Sequence, residues 1–294
     1  MNDRVLVVGD VMTDVIVAPE GPLVHGSDRR AKIRSRPGGS GANQAVWLGA
    51  MATKVVFAAR VGADDKAMYE EYFRSLGVIP ALAGDANEPS GVLVTILDPD
   101  GERSFLSDRG ANLHLCSADL PESLLAEIGM VMVSGYSFFA PGPRAAVKKL
   151  LGAAKARGIA VAIDPASIGF LEEVGAAAFL EWTAGADWLF ANESEAELLC
   201  GEADFEACMR CLGNRFANVV IKRGRYGAAL GGKDGARVAL SAPVVNVVDS
   251  TGAGDAFAAG FIAAHLSGKD EATALAQAVA AGAKAVQKLG GQPD

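Results

Sequence analysis

The sequence predicts an α/β fold: helices on both faces of a mainly parallel sheet, with a small β-layer beside it. Three observations carry that expectation. Short runs of Val, Ile, Ala and Met alternate with helical patterns along most of the chain, as strands covered on both faces do. Such alternation closes into layers through right-handed crossovers. Two stretches break the alternation with patterns of exposed strands and a tight turn, and these supply the smaller layer. With 294 residues, 50% of them hydrophobic, the chain can bury one large core.

In chain order, residues 5–9, 55–61, 130–134, 159–164, 188–192 and 219–222 read as buried strands, each short and nearly continuously apolar. Residues 41–51, 66–76, 143–157, 193–200 and 204–215 read as helices. Residues 13–17 and 31–36 read as short strands on an exposed edge. Residues 91–97 and 103–106 flank Asp98-Pro99-Asp100-Gly101, a strong turn signal, and read as a hairpin. The Ala-rich segments 254–266 and 271–289 read as closing helices. The cations Arg29, Arg30, Lys32, Arg34 and Arg36 read as an edge strand protected by charge rather than an anion-attracting flap. Cys208 and Cys211 fall on one helical face, where paired thiols are packing groups; no second pair completes a zinc set.

Composition excludes several function classes. A formal net charge of −8 argues against nucleic acid as partner, because phosphate-tracking proteins need a positive field. No stretch approaches the length of an apolar membrane span, and the short apolar run at residues 5–8 is no signal peptide. The expectation is a soluble, cytoplasmic protein.

The most informative segment is Val247-Val248-Asp249-Ser250-Thr251-Gly252-Ala253-Gly254-Asp255-Ala256-Phe257. An apolar run ends, a small-residue turn follows, and a helix begins. Gly252 and Gly254 let main-chain N–H groups converge where a side chain would block approach. Those donors sit at a helix N-terminus, which favours an anion, and phosphate is the natural occupant. A carboxylate at Asp255 would repel that phosphate unless it has a chemical task. Accepting the proton of a hydroxyl that attacks phosphorus is such a task.

The run from Asp249 to Phe257 resembles the C-terminal signature of the ribokinase (PfkB) family of carbohydrate kinases. Gly38-Gly39-Ser40-Gly41-Ala42-Asn43-Gln44-Ala45, with Arg60-Val61-Gly62-Ala63-Asp64-Asp65 downstream, resembles the N-terminal signature. The resemblance covers essentially the whole chain. It implies a ribokinase-like three-layer α/β/α fold in a single domain, residues 1–294, with a β-sheet lid formed by about 12–37 and 90–110. It implies Asp255 as the base and Gly252, Ala253 and Gly254 as an anion hole. Asp14, Gly39, Asn43, Arg109 and Asn112 would bind the sugar. Asn192, Lys222, Gly224 and Gly227 would bind ATP, with Lys222 standing where many relatives carry Thr. Glu195 would handle Mg²⁺ through water. Asp249 and Thr251 sit where many relatives bind a monovalent cation, and whether K⁺ is needed stays open. A homodimer paired through the lid is the implied assembly.

Two features depart from that pattern. After the run 130–134, where ribokinases proper carry a sugar-binding Glu, the chain reads Gly135-Tyr136-Ser137. The stretch Gly227 to Asp234 nearly satisfies GxxxxGK[ST] but fails at Asp234, and reads as a hairpin turning at Lys233-Asp234-Gly235. The expected activity is transfer of the γ-phosphate of ATP to a hydroxyl of a sugar or sugar-like substrate, with nucleosides and 2-keto-3-deoxygluconate as alternatives. Two other classes stay in view: a non-catalytic sugar or nucleoside sensor, and an NAD(P)-dependent oxidoreductase. The missing GxGxxG after residues 5–9 counts against the latter.

Overall fold

The computed structural model describes residues 2–23, 25–97 and 103–293. The chain opens with β1 (Arg4–Val8), β2 (Met12–Pro19) and β3 (Ala31–Gly38), then α1 (Ser40–Ala50), β4 (Lys54–Gly62), α2 (Lys66–Ser75) and β5 (Val78–Asp85). Next come β6 (Gly91–Leu97), β7 (Arg103–Asp108), β8 (Ile128–Ser134), α3 (Pro141–Ala156), β9 (Ala160–Asp164), α4 (Ile168–Val174) and α5 (Ala176–Trp182). The remainder is β10 (Trp188–Asn192), α6 (Glu193–Cys200), α7 (Phe205–Gly213), β11 (Asn218–Lys222), β12 (Ala228–Gly232), β13 (Gly235–Leu240), α8 (Ala253–Leu266) and α9 (Glu271–Ala285).

The larger sheet runs in the order β13-β12-β11-β10-β9-β8-β1-β4-β5. It is parallel from β11 to β5 and turns antiparallel at the β11-β12-β13 edge. One apolar face packs on α1, α2, α8 and α9, through Trp47, Phe57, Phe73 and Phe261 among others. The opposite face packs on α3 to α7, through Leu150, Phe179 and Met209. Both faces are covered, which is why the central strands read as continuous apolar runs. Strand order reverses between β8 and β1, the switch point at whose carboxyl side open α/β sheets place their ligands. The smaller sheet, in the order β3-β2-β6-β7, stands beside that end.

Several expectations need correction. Residues 13–17 are not an edge: β2 lies between β3 and β6, and the edges are β3, with its exposed Lys32 and Arg34, and β7. The last helix stops at Ala285, because the carbonyl of Val286 instead receives the N–H groups of Val248 and Asp249. The Asp98-Pro99-Asp100-Gly101 turn lies outside the described residues; the antiparallel pairing of β6 with β7 on either side of it is as expected. The near-P-loop segment is the β12–β13 hairpin. Cys208 lies on α7, buried against Leu212 and Met209 in the same cluster, in keeping with a packing role.

Candidate active site

Beneath the smaller sheet a cleft of about 1220 Å³ opens over the carboxyl ends of β1, β8, β9, β10 and β11. Its floor is the start of α8. Gly252 caps this helix at φ 71°, and a Cβ there would fall 2.4 Å from the Cα of Gly291. Only glycine satisfies both the left-handed backbone and the close approach. The first-turn amides of α8 have no intrahelical acceptor and face the cleft. Behind them, Asp249 accepts from Thr251 N at 2.8 Å and Gly290 N at 2.9 Å, which pins the turn to the C-terminal segment.

Asp255 stands in the first turn of α8. Its Oδ1 accepts from Ser40 Oγ at 2.7 Å and Gln44 Nε2 at 3.1 Å, and its Oδ2 accepts from Asn43 Nδ2 at 3.1 Å. All three donors come from the first turn of α1. That helix begins tight against β1: a Cβ on Gly41 would sit 2.5 Å from Gly9 Cα, so the Gly9–Gly41 contact admits no side chain. Burial, reinforced by the charge of Asp164, raises the Asp255 carboxyl from 3.8 to about 7, against the pull of Ser40, Asn43 and Lys222. An acid poised near neutrality can take up a proton at physiological pH.

Lys222 ends β11 with its ammonium 2.7 Å from Asp164 Oδ2. The same nitrogen lies 3.1 Å from where a Cβ of Gly254 would be. It therefore flanks the N-terminus of α8. Glu195, 2% exposed, is also lifted to about 7, first by burial and then by Asp164, while Lys222 opposes the rise. Its Oε2 accepts from Asn192 N at 2.8 Å, and its own N–H donates to Asn192 Oδ1 at 2.8 Å, a reciprocal cap of α6,. Gly224 and Gly227 line the cleft's outer end in a tight turn closed by Arg223 N–H to Gly227 O at 2.8 Å.

Under the smaller sheet, Asp14 projects from β2 into the cleft, 8% exposed, with Oδ1 lacking a partner. Burial and the charges of Asp10 and Asp249 lift it to about 7. Gly39 lines the wall beside it. Arg109 follows β7 and lies 3.4 Å from Asp10 Oδ2, with its guanidinium carbon 4.2 Å above the Tyr136 ring.

A model of the pfkB family carbohydrate kinases matches residues 2–294. The chain belongs to that family. Its activity is ATP-dependent phosphoryl transfer to a hydroxyl of a sugar or sugar-like molecule. The chain is 32% identical over 287 residues to the ATP-dependent ribose-1-phosphate kinase of Halopiger xanaduensis, covering 95% of this chain and 90% of that one. It superposes on Arabidopsis thaliana ribokinase complexed with ribose and ATP at a TM-score of 0.82, with 26% identity, covering 100% of this chain and 96% of that one. For adenosine kinase from Sinorhizobium meliloti the TM-score is 0.90 at 22% identity, covering 100% and 96% of the two chains, a likeness of fold.

In this carbohydrate kinase most residues singled out from sequence converge on one cleft: Asp14, Gly39, Asn43, Arg109, Asn192, Glu195, Lys222, Gly224, Gly227, Thr251, Gly252, Ala253, Gly254 and Asp255 all line it. Two do not. Asn112 spends its amide on Val11 N, Val11 O and Arg109 O, at 2.9, 2.8 and 2.9 Å, and so ties the smaller sheet to the exit of β1. Asp249 works behind the turn rather than in the wall. Sequence reasoning missed Asp10, Ser40 and Gln44 as site residues. Ser40 and Gln44 share a helical face with Asn43, a spacing that could have flagged them.

Proposed function

We propose that Asp255 is the general base that deprotonates the acceptor hydroxyl while the α8 amides and Lys222 hold the γ-phosphoryl group. The observation that carries this reading is Asp255 itself: a half-buried carboxylate, gripped by three donors, beside a helix N-terminus and an ammonium group. The hydroxyl approaches Asp255 from the side of Asp14 and Asn43, whose polar oxygens Oδ1 lack partners and would receive sugar hydroxyls. Lys222 offsets the charge that develops on the transferring group. Closure of the smaller sheet as a lid over the sugar would exclude water and limit wasteful hydrolysis.

Asp164, Asn192 and Glu195 present hard oxygen donors at the ends of β9 and β10. Among the described residues no cluster of three or more acids, His or Cys forms a metal cage. Mg²⁺ keeps waters and phosphate oxygens as ligands and would be held here through one or two carboxylates. When bound, Mg²⁺ neutralises charge on the β- and γ-phosphate oxygens. A monovalent cation at Asp249 and Thr251 belongs to the same proposal, and comparing activity in K⁺ and Na⁺ tests it. No described helix is long and apolar enough to cross a membrane. We place the enzyme in the cytosol, as a homodimer through the smaller sheet, whose Ile33 and Leu106 are exposed.

The test is ADP release by purified protein with ATP, Mg²⁺ and a panel of sugars, sugar acids, sugar phosphates and nucleosides, each product's mass being checked. Sugar-dependent ADP release, lost in Asp255→Asn, is expected. ATP binding without turnover of any compound would favour the sensor reading.

A further inference from the structure

Arg109 is built as a receptor. Its side chain is 14% exposed, and its guanidinium carbon sits 4.2 Å over the Tyr136 ring. That ring is itself fixed edge-on by Phe139 and Phe170, at centroid distances of 6.1 and 5.6 Å. Among the described residues its guanidinium makes no hydrogen bond: its ionic partner, Asp10 Oδ2, stands 3.4 Å away, beyond the 2.7–2.9 Å of a charge-assisted bond. Asp10 Oδ1 accepts from Gly41 N at 3.1 Å and Ser134 Oγ at 3.4 Å, which leaves Oδ2 to face Arg109. A rigid planar fork of donors, stacked, largely dry and open to the cleft, matches a bidentate oxygen acceptor.

On the acceptor side of the cleft Arg109 faces the carboxylates of Asp10 and Asp14, and it is the group there that can receive an anion. The turn after β8 reads Gly135-Tyr136-Ser137, so that turn itself supplies no carboxylate. The other described cations of the cleft, Lys222 and Arg225, lie on or beside β11 at the nucleotide end, which leaves Arg109 as the described cation on the acceptor side. Arg109, Tyr136 and Asp255 line the same cleft, so one small molecule can touch both ends.

We infer that the acceptor carries a carboxylate or phosphate group, which docks on Arg109 while its hydroxyl meets Asp255. Arg109 is then the specificity-determining residue. This rests on the kinase reading above and deepens it by naming a substrate class: anionic sugars, with sugar acids and sugar phosphates as the two sources.

The experiment measures kcat/KM for neutral sugars, the matching sugar acids and the matching sugar phosphates, with wild type, Arg109→Gln and Arg109→Lys. In wild type the best anionic sugar is expected to exceed its neutral parent by roughly 10- to 100-fold, the range of a hydrogen bond to a charged group. In Arg109→Gln that ratio should fall towards one, chiefly through KM. Arg109→Lys should sit between, because lysine keeps the charge and loses the fork. The acid and phosphate arms show which group is read. A merely structural role would lower all substrates together and leave the ratio unmoved, which overturns the inference. So does a neutral sugar or nucleoside as the best wild-type substrate. If no compound supports ADP release, the kinase reading fails separately and thermal shift decides. Anionic sugars that raise the Tm of wild type but not of Arg109→Gln sustain the inference. Equal shifts, or none, overturn it.

Discussion

Asp255 is an acid kept where ionisation is costly, and its behaviour follows from that placement. Asp255→Asn should lower kcat by about 10³-fold while ATP affinity stays within a few-fold. The replacement amide can be accommodated, because Asn43 Oδ1 has no partner and its amide can turn to accept. Since only the ionised carboxyl takes a proton, kcat/KM should rise with pH through about 7. Stability runs the other way. A carboxyl whose value climbs from 3.8 to about 7 on folding binds more protons folded than unfolded, so its contribution is lost as pH rises across that window. The Tm gain of Asp255→Asn should accordingly be larger at pH 8 than at pH 5; equal gains would remove the desolvated charge from the account. Lys222→Met should move the acidic limb of the rate profile upward, because Lys222 pulls Asp255 down. At this scale the two glycine-rich motifs made Asp255, Asn43 and Gly254 legible. Asp10 was not, because its role comes from Gly41 and Arg109, neighbours 31 and 99 residues away along the chain.

Elements deliver these groups, and their ends matter more than their middles. Gly252→Ala places a Cβ against Gly291 at a φ of 71°. It should cost about 1–3 kcal/mol, read as a lower Tm, together with reduced kcat as the amides shift. The central strands and long helices were legible because burial on both faces writes a continuous apolar run. The strand β5 was not: Pro80 and Gly84 interrupt it, and it tolerates them because it is an edge,. The end of α9 was overread because apolar periodicity continues past Ala285, while tertiary bonds to Val248 and Asp249 draw the chain away from the helix. The smaller sheet was legible as strands but not as an order, since nothing local says that β2 pairs with β6 across the 71 residues between Pro19 and Gly91.

At the scale of the whole molecule, the switch point between β8 and β1 puts the cleft where the large sheet, the small sheet and the α8 terminus meet. Closure of the small sheet should appear as slower amide exchange in β2 and β6 when acceptor and a non-hydrolysable ATP analogue are both present, and less with either alone. Exchange unchanged by both ligands would argue against a lid. The central claim is that the start of α8 holds the phosphoryl group in flight. It is tested most directly by a crystal structure with ADP, Mg²⁺, aluminium fluoride and acceptor. The account expects the fluoride on the amides of Gly252, Ala253 and Gly254, within reach of Lys222, with the acceptor oxygen about 3 Å from the Asp255 carboxylate. A fluoride seated elsewhere, or an acceptor hydroxyl turned away from Asp255, would contradict it.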